Sequence, residues 1–284
     1  SRTMTFSRRS IFYLVSLLVA SFLLFRWRTT LKNLLFRPEA KGRLQPQPSN
    51  PFVEKNKVLV SLVHGDDVEL MVREAITMIG GLERIDVRDK TVLVKPNVVS
   101  GRPSPATTNP DVVRAIVKLL KEAGTKKIYV GDMSAILTLP TKKNMESTGI
   151  LKAAEAVGAE PLFFEDHGWV KVDLPQAKYI QEAYVSEWIY KVDRVINLPV
   201  IKTHRSATYT ITLKNFIGAT HGRQRPYLID PTYWEEIIAE FNLAYHPHLN
   251  LVDGTSVMSS GGPWSGNEEK AGLILASGDR VAAD

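Results

Sequence analysis

The amino-acid sequence predicts an α/β fold: a largely parallel sheet with helices on both faces, preceded by one N-terminal transmembrane helix. Two observations lead to this prediction. Along most of the chain, short apolar runs alternate with segments of helical periodicity, as in a parallel sheet that helices cover. Residues 10–25 contain no charged side chain, which is typical of a membrane segment. The whole chain, with 44% hydrophobic and 23% charged residues, has the composition of an ordinary globular protein.

The first element is the apolar run at residues 10–25. Its 16 residues would form a helix about 24 Å long, slightly shorter than the roughly 30 Å hydrocarbon core of a bilayer. Trp27 at the interface, with Arg26 and Arg28 reaching toward the lipid head groups, would extend this helix to a full span. We therefore expect a single-pass N-terminal anchor that attaches the protein to a membrane.

Two arginines, Arg8 and Arg9, directly precede the apolar run. They resemble the twin-arginine export signal, although a plain signal-anchor helix with a charged flank explains them as well. No small-x-small cleavage site follows, so we expect an uncleaved anchor. Positive charges on both sides of the run leave the positive-inside rule undecided, and the export-type signal favours an extracytoplasmic (periplasmic) soluble domain.

The net charge of +6 comes mainly from the membrane-proximal end. Lys and Arg are concentrated in the first 43 residues, where Glu39 is the only acidic residue. A basic juxtamembrane segment that meets anionic lipid explains this pattern, so no nucleic-acid partner is expected. The sequence contains no cysteine, which excludes a disulfide, a cysteine nucleophile and a cysteine-ligated zinc or iron–sulfur cluster within this chain.

The sequence divides into three parts. Residues 1–36 form a basic segment and transmembrane anchor, residues 37–56 a linker, and residues 57–284 the α/β domain. The linker contains four prolines and little apolar periodicity, which indicates an extended spacer. The sequence stops after a strand, where a helix is expected to begin, so we expect the domain to continue beyond Asp284.

Strands and helices of the domain follow from their patterns. Short apolar runs predict strands at residues 58–63, 91–94, 127–130, 161–164, 194–198, 249–252 and 273–276. Helical spacing predicts helices at residues 68–79, 109–124, 147–157 and 233–245. The second of these has a strong start signal, because Asn109 can cap the helix and Pro110 suits its first position. Glycine at position 124 marks its end.

Several predicted strands end in a polar residue that a structural role does not require. The richest segment, residues 193–222, begins as a buried strand and continues through loop or helix-start sequence with lysine, histidine and asparagine side chains. In open α/β sheets, ligands bind beyond the carboxyl ends of the strands, so we expect these residues to lie together there. The candidate site residues are Lys95, Asn97, Thr108, Asp132, Lys202, His204, Lys214, Asn215, His221 and Asp253.

Two kinds of ligand fit these residue types. Lysines with hydroxyls and amides suit an anionic group such as phosphate or carboxylate, which assigns ligand binding to Lys95, Asn97, Thr108, Lys214 and Asn215. Histidines with aspartates suit a divalent transition metal, with the candidate ligands His204, His221, Asp132 and Asp253. The candidate catalytic residues are His204 and Lys202. Each residue alone also fits a turn, a cap or a strand exit, so the prediction depends on the whole set.

Familiar nucleotide and hydrolase motifs are absent from this sequence. It has no phosphate-loop spacing, no Gly-x-Gly-x-x-Gly after the first strand and no Gly-x-Ser-x-Gly. The glycine-rich stretch at residues 260–266 is expected to be a flexible loop whose backbone amides could approach a ligand.

Short motifs occur at the candidate positions. They are Lys95-Pro96-Asn97, Thr108-Asn109-Pro110, Gly131-Asp132, Asn197-Leu198-Pro199, Lys202-Thr203-His204, Leu213-Lys214-Asn215 and Leu275-Ala276-Ser277-Gly278-Asp279. Together, from about residue 58 to residue 284, they resemble the DUF362 family, a family of unknown function. The resemblance implies an α/β fold and a site at these positions, but no reaction. Some relatives carry a cysteine-rich ferredoxin-type module, and this cysteine-free sequence does not support electron transfer through such clusters.

Two functions are compatible with these observations. The first is a membrane-anchored domain that binds an anionic ligand or a metal-containing cofactor at the strand ends, with or without catalysis. The second is a non-catalytic accessory subunit of a membrane protein complex, suggested by the uncleaved anchor and the proline-rich tether.

Overall fold

The computed structural model describes residues 8–35, 42, 47–228 and 231–284. Its strands are β1 (Val53–Glu54), β2 (Lys57–Val58), β3 (Val60–His64), β4 (Thr91–Pro96), β5 (Lys127–Asp132), β6 (Glu160–Phe163), β7 (Trp169–Asp173), β8 (Glu182–Ser186), β9 (Arg194–Leu198), β10 (Val200–His204), β11 (Thr208–Thr210), β12 (Leu249–Gly261) and β13 (Gly266–Ser277). Its α-helices are α1 (Arg8–Leu35), α2 (Val68–Met78), α3 (Pro110–Glu122), α4 (Thr141–Thr148), α5 (Ile150–Ala156), α6 (Trp188–Lys191), α7 (Thr212–Asn215), α8 (Trp234–Phe241) and α9 (Arg280–Ala283).

The central sheet is mixed and mostly parallel. Its strand order in the described part of the chain is β11-β10-β12-β9-β4-β5-β6, with β13 paired to both β12 and β3. The pairings β12/β9, β9/β4, β4/β5 and β5/β6 are parallel, as is β10/β12. The β13 and β11 pairings are antiparallel. The predicted mostly parallel α/β sheet is thus confirmed, while the short strand predicted at residues 273–276 belongs to a long antiparallel hairpin.

The side chains of the central strands alternate between the two faces of the sheet and so contribute to two apolar layers. On β4, Val92 and Val94 belong to a cluster with residues of α2, α3 and α5, whereas Leu93 belongs to a second cluster with residues of the β7–β8 hairpin and α8. Successive side chains of a strand point to opposite faces, so both faces of the sheet are covered. Helices cover one face, and a hairpin with shorter helices covers the other.

The helix boundaries follow local signals. The Asn109 side chain accepts a hydrogen bond from the Asp111 backbone N–H, so it caps α3 as predicted. The helix predicted at residues 147–157 is divided into α4 and α5 at Gly149. Gly149 has φ of 81°, a left-handed conformation that favours glycine and ends a helix.

Helix α1 extends ten residues beyond the apolar run that predicted it, to Leu35. Residues 12–35 are long and apolar enough to cross a membrane, and most of this segment is exposed. Residues 1–7, and residues 37–41 and 43–46 of the predicted linker, lie outside the described residues. Within that linker, Phe52 is buried in the core of the domain, and β1 begins at Val53.

Strands β9 and β10 follow one another along β12, with only Pro199 between them. Strand β9 lies between β4 and β12, and β10 continues beside β12 past the end of β4. The sequence predicts Lys202 and His204 on loop or helix-start segments, and they instead lie on β10. Because β10 extends beyond the carboxyl edge of the parallel strands, its side chains form a wall above that edge.

Asp253 connects β12 to the beginning of α3. One carboxylate oxygen accepts from the Asn109 N–H at 2.7 Å, and the other accepts from the Thr255 N–H at 3.0 Å and the Thr255 hydroxyl at 2.7 Å. The side chain is fully buried. Burial raises its pKa and these hydrogen bonds oppose the shift. Asp253 therefore has a structural role in the described fold.

We expect Asp253→Ala to lower the free energy of unfolding by about 1–3 kcal/mol, because it leaves buried donors without an acceptor. Chemical denaturation of the full chain in detergent measures this. The matched control is Asp66→Ala, since Asp66 forms an exposed ion pair with Lys270 that should contribute less than about 1 kcal/mol. Equal losses in the two variants would contradict the structural assignment.

Candidate functional site

A cavity of about 420 Å³ lies at the carboxyl edge of the sheet, a volume in the range of about 300–1,000 Å³ that is usual for small-molecule sites. Six of the ten predicted site residues line it: Asn97, Asp132, Lys202, His204, Lys214 and Asn215. The other four do not: Lys95, Thr108, His221 and Asp253. The remaining lining residues are mostly apolar and include Leu34, Ile136, Leu137, Ile217, Pro263 and Trp264.

Lys202 reaches the cavity from β10. Its Nζ donates to Asn97 Oδ1 at 3.0 Å and to the Ala106 carbonyl at 2.5 Å. Burial, with the nearby charge of Lys214, lowers the pKa of Lys202 to about 7. Thr210, its partner across the β10–β11 pair, also lines the cavity. The buried Thr210 hydroxyl has no hydrogen-bonding partner in the described part of the chain, so it can serve a ligand.

Lys214 is the least satisfied cation of the cavity. Its Nζ lies 5.0 Å from the centroid of the Trp234 ring, and the described residues offer it no hydrogen bond or ion pair. Burial, together with the charge of Arg225, lowers the pKa of Lys214 to about 8. A half-buried ammonium group whose close partner among the described residues is an aromatic face is a favourable site for an anion.

His204 is neutral in this environment. Its Nδ1 accepts hydrogen bonds from the Ser206 and Ala207 backbone N–H groups, both at 3.2 Å. A neutral imidazole that accepts at Nδ1 carries its proton on Nε2. Burial and the charges of Lys214 and Lys202 lower the pKa of His204 to about 3. His204 can therefore donate a hydrogen bond from Nε2 at neutral pH.

Arg225 is a site residue that the sequence did not reveal. Its guanidinium donates to the backbone carbonyls of Ser134 at 2.6 Å, Thr220 at 3.1 Å, and Met133 and Gly218 at 3.2 Å. Burial lowers its pKa to about 10, so it stays charged. The segment around it, His-Gly-Arg-Gln-Arg-Pro, has no distinguishing motif, and only the folded chain brings this arginine to the cavity.

Lys95, predicted to bind a ligand directly, lies behind the cavity wall and is fully buried. Its Nζ is 2.8 Å from Asp132 Oδ1, 2.7 Å from the Asn215 carbonyl and 3.3 Å from the Pro96 carbonyl. An ammonium group has three donors, so none remains for a ligand. Burial lowers the pKa of Lys95 and Asp132 opposes this. Any side chain at Gly218 would collide with the pair, since a Cβ there would overlap Asp132 Oδ1.

A chain of asparagine side chains forms the floor of the site. Lys202 donates to Asn97, Asn97 donates to Asn215 at 3.1 Å, Asn215 donates to Asn197 at 2.8 Å, and Asn197 donates to Asn250 at 3.1 Å. Each bond fixes the orientation of the next amide. Asn197 and Asn250 were not among the predicted site residues. The signal for them was an asparagine inside an otherwise apolar, buried strand.

The other predicted residues are used elsewhere. The Thr108 hydroxyl donates to the Leu198 carbonyl at 2.8 Å and accepts from the Asn97 N–H, so it attaches its loop to the sheet. The His221 ring packs edge-on against Trp169 with centroids 4.8 Å apart. Burial and nearby arginines lower the pKa of His221 to about 4.

The four predicted metal ligands are not assembled. His204 and Asp132 line the cavity, while His221 and Asp253 do not. Within the described ranges no three His, Asp or Glu side chains form a group that could hold a metal ion. Binding of a transition metal therefore stays a prediction from the sequence, without a ligand set in this part of the chain.

The cavity carries excess positive charge. Its described lining contains three cationic side chains, Lys202, Lys214 and Arg225, and one acidic side chain, Asp132, which Lys95 already pairs. The pKa values of both cavity lysines lie below the value of about 10.4 for an unfolded lysine. The unfolded chain thus binds more protons between pH 7 and 10, so these lysines make the fold less stable as the pH falls through that range. An anion in the cavity would remove this cost.

The family model described as "Domain of unknown function (DUF362)" matches residues 92–284. This chain belongs to the DUF362 family. The matched segment begins near the start of β4 and contains all ten predicted site residues. It also contains the motifs that carry the resemblance, from Lys-Pro-Asn to the closing Ser-Gly-Asp.

One similar protein is a thylakoid-associated protein of Synechocystis sp. It is 29% identical to this chain over 219 residues, which cover 75% of this chain and 66% of that protein. The chain therefore spans about two thirds of the length of this relative.

Two solved structures show partial similarity to this DUF362 chain in their backbone trace. The lactate racemase apoprotein from Thermoanaerobacterium thermosaccharolyticum aligns with a TM-score of 0.46 and 11% identity, over 70% of this chain and 50% of its own. A protein from Thermotoga maritima aligns with a TM-score of 0.42 and 14% identity, over 67% of this chain and 51% of its own. The DUF362 chain spans about half the length of each.

We expect Asp132→Ala to destabilise the protein by about 3–5 kcal/mol, because it leaves the buried Lys95 ammonium without its partner. The double variant Lys95→Met with Asp132→Ala should recover much of this loss, since both charges of the buried pair are removed together. Denaturant unfolding of the full chain measures both. Glu160→Ala, which breaks the exposed Lys127–Glu160 pair, is the control and should cost less than about 1 kcal/mol. A double variant less stable than the single one would contradict this role.

Proposed function

We propose that this DUF362 protein is anchored in a membrane and binds an anionic small molecule in the cavity lined by Lys202, Lys214 and Arg225. One observation carries the proposal: the cavity wall holds three cationic groups, and its only acidic group among the described residues is already paired. An uncompensated buried charge costs several kcal/mol. A ligand that supplies the missing negative charge would offset that cost on binding.

The donors around the cavity support an anion such as a phosphate or a carboxylate. Lys214 has no hydrogen bond in the described structure, the Thr210 hydroxyl has none, and His204 directs its donor capacity to Nε2. Donors to a charged oxygen form short, strong hydrogen bonds. The surrounding wall is mostly apolar, and the exclusion of water strengthens such interactions.

The proposal distinguishes the two candidate catalytic residues. With a pKa of about 7, Lys202 can accept or release a proton at neutral pH, as a general base or acid requires. With a pKa of about 3, His204 does not accept a proton in that range and acts as a hydrogen-bond donor. We therefore assign any proton transfer to Lys202 and a binding role to His204.

We expect Lys214→Met and Lys202→Met each to weaken binding of ethyl phosphate to the detergent-solubilised full chain by about tenfold or more. Isothermal titration calorimetry measures the affinity. Lys270→Met is the matched control, because Lys270 is an exposed surface lysine paired with Asp66, and it should leave the affinity unchanged. Equal affinities in all variants would refute the proposed site.

The protein should also take up protons when it binds ethyl phosphate. In the empty cavity at pH 8, Lys202 is mostly neutral and Lys214 is about half neutral. An anion favours the charged form of both, so up to about 1.4 protons should enter with the ligand. At pH 6 both lysines are already charged and the uptake should be small. Repeating the titration in buffers of different ionisation enthalpy measures the number of protons taken up per ligand bound. Proton release at pH 8 would contradict the assignment.

The membrane part of the proposal is supported by α1 and by the relative. Residues 12–35 form a helix long and apolar enough to span a bilayer, with its apolar side chains exposed, and the similar protein from Synechocystis is thylakoid-associated. Trp27 and the flanking arginines suit the interface. The extracytoplasmic position of the domain stays a prediction.

We expect the full chain to stay in the membrane pellet after extraction with alkaline carbonate. The double variant Leu17→Lys with Leu18→Lys should be released, because lysines near the middle of a span cost about 2.5–3.5 kcal/mol each. Leu62→Lys with Leu70→Lys is the matched control, since these leucines are similarly exposed on the domain. Release of the unaltered chain would refute the anchor.

The exposed apolar surface of α1 also fits a helix of a partner, which favours the accessory-subunit function as a second candidate. Extraction in a mild detergent separates the two. A stable complex that contains this chain, together with no binding of ethyl phosphate, would support the subunit. A single chain that binds ethyl phosphate would support the binding function.

A further inference from the structure

The end of helix α1 forms part of the cavity wall. Leu34, in its last turn, lines the cavity together with Ile136 and Leu137. Two hydrogen bonds hold the helix end in place: the Thr30 hydroxyl donates to the Ile136 carbonyl at 3.0 Å, and Arg223 donates to the Leu35 carbonyl at 3.0 Å. The same helix that can span a membrane therefore borders the ligand cavity.

The residues that line the cavity differ widely in solvent exposure. Leu137 is 71% exposed, Leu34 is half-buried, Ile217 is 8% exposed, Met133 is 1% exposed and Lys202 is 2% exposed. Lys214 and Arg225 are half-buried, like Leu34. We call the apolar part of the lining, from Leu34 and Leu137 beside α1 to Ile217 and Met133, the apolar passage.

Basic side chains occur on the last part of α1 and on the neighbouring part of the domain. Arg26, Arg28 and Lys32 on α1 and Arg223 on the domain are all exposed. Lysine and arginine beside a membrane attract anionic lipids by about 1 kcal/mol each. Negatively charged amphiphiles would therefore be concentrated at the mouth of the passage.

We propose that the anionic ligand is an amphiphile of the membrane, with a compact phosphate or carboxylate head and an alkyl chain. The head binds Lys202, Lys214 and Arg225, and the chain lies along Leu137 and Leu34 toward the bilayer. This inference rests on the proposed anion site and adds the class of ligand and its route of entry. A water-soluble anion would use the cationic end alone and would leave the apolar passage without a role.

The test compares two probes with the same head. Hexadecyl phosphate and ethyl phosphate are titrated against the full chain in phosphatidylcholine nanodiscs, and binding is counted as the excess over protein-free nanodiscs. Hexadecyl phosphate should bind saturably, with about one molecule per chain, at a total concentration at least about tenfold lower than ethyl phosphate, because its partition into the bilayer raises its effective concentration beside α1. Palmitate and acetate, used in the same way, distinguish a carboxylate head from a phosphate head.

A pair of neighbouring variants tests the route. Leu34→Gln should weaken binding of hexadecyl phosphate about fivefold or more and leave that of ethyl phosphate unchanged. Leu35→Gln is the matched control, because Leu35 is 65% exposed and does not line the cavity, and it should change neither. Both substitutions put the same polar group in the same turn, so any effect on insertion of the helix is shared.

The outcomes separate the two proposals. Equal affinities for the two phosphates would overturn the amphiphile and leave the anion site intact. If Leu34→Gln and Leu35→Gln change the affinity for hexadecyl phosphate equally, the proposed passage along α1 is overturned. If the unaltered chain binds the two phosphates, palmitate and acetate no more tightly than the Lys214→Met variant does, the anion site is overturned as well. Equal binding of hexadecanol and hexadecyl phosphate would show that the charge is not recognised.

Discussion

The buried ammonium group of Lys95 is the point on which the site depends. A lysine with no exposure is stable only when every donor has an acceptor, and Lys95 meets this condition with Asp132 and the carbonyls of Asn215 and Pro96. These contacts join β4, β5 and the helix that carries Lys214. Gly218 permits them by having no side chain. The geometry of the cavity wall is therefore a consequence of one satisfied charge behind it.

The polar groups of the sheet edge fall into two classes. Those within the wall are paired, because the asparagine chain from Asn97 to Asn250 satisfies each amide in turn. Two groups that line the cavity are not paired: Lys214 and the Thr210 hydroxyl have no hydrogen bond among the described residues. Lys214 is half-buried and Thr210 is buried, so both groups can meet a ligand in the cavity that we propose as the binding site.

Helix α1 and the α/β domain are structurally connected. Helix α1 provides Leu34 to the cavity, and its end is held by Ile136 and by Arg223. An anchor that only tethered the domain would have no need of these contacts. The long β12–β13 hairpin contributes from the other side, since its tip brings Pro263 and Trp264 to the same cavity. Two sequence-distant segments thus complete a cavity whose cations come from β10, α7 and the segment that contains Arg225.

The sequence by itself determined the α/β fold, the apolar N-terminal helix and the concentration of polar residues at strand ends. These are local properties: apolar periodicity sets the elements, and a lysine or asparagine after a buried strand is visible in the chain. Only the tertiary structure decided which of them face the cavity. Lys95, Thr108 and Asp253 turn inward to satisfy buried neighbours, while Arg225, Thr210 and Leu34 join the wall without any sequence signal. The physical reason is that strand order and helix docking bring distant residues together, and local patterns contain no information about those distances.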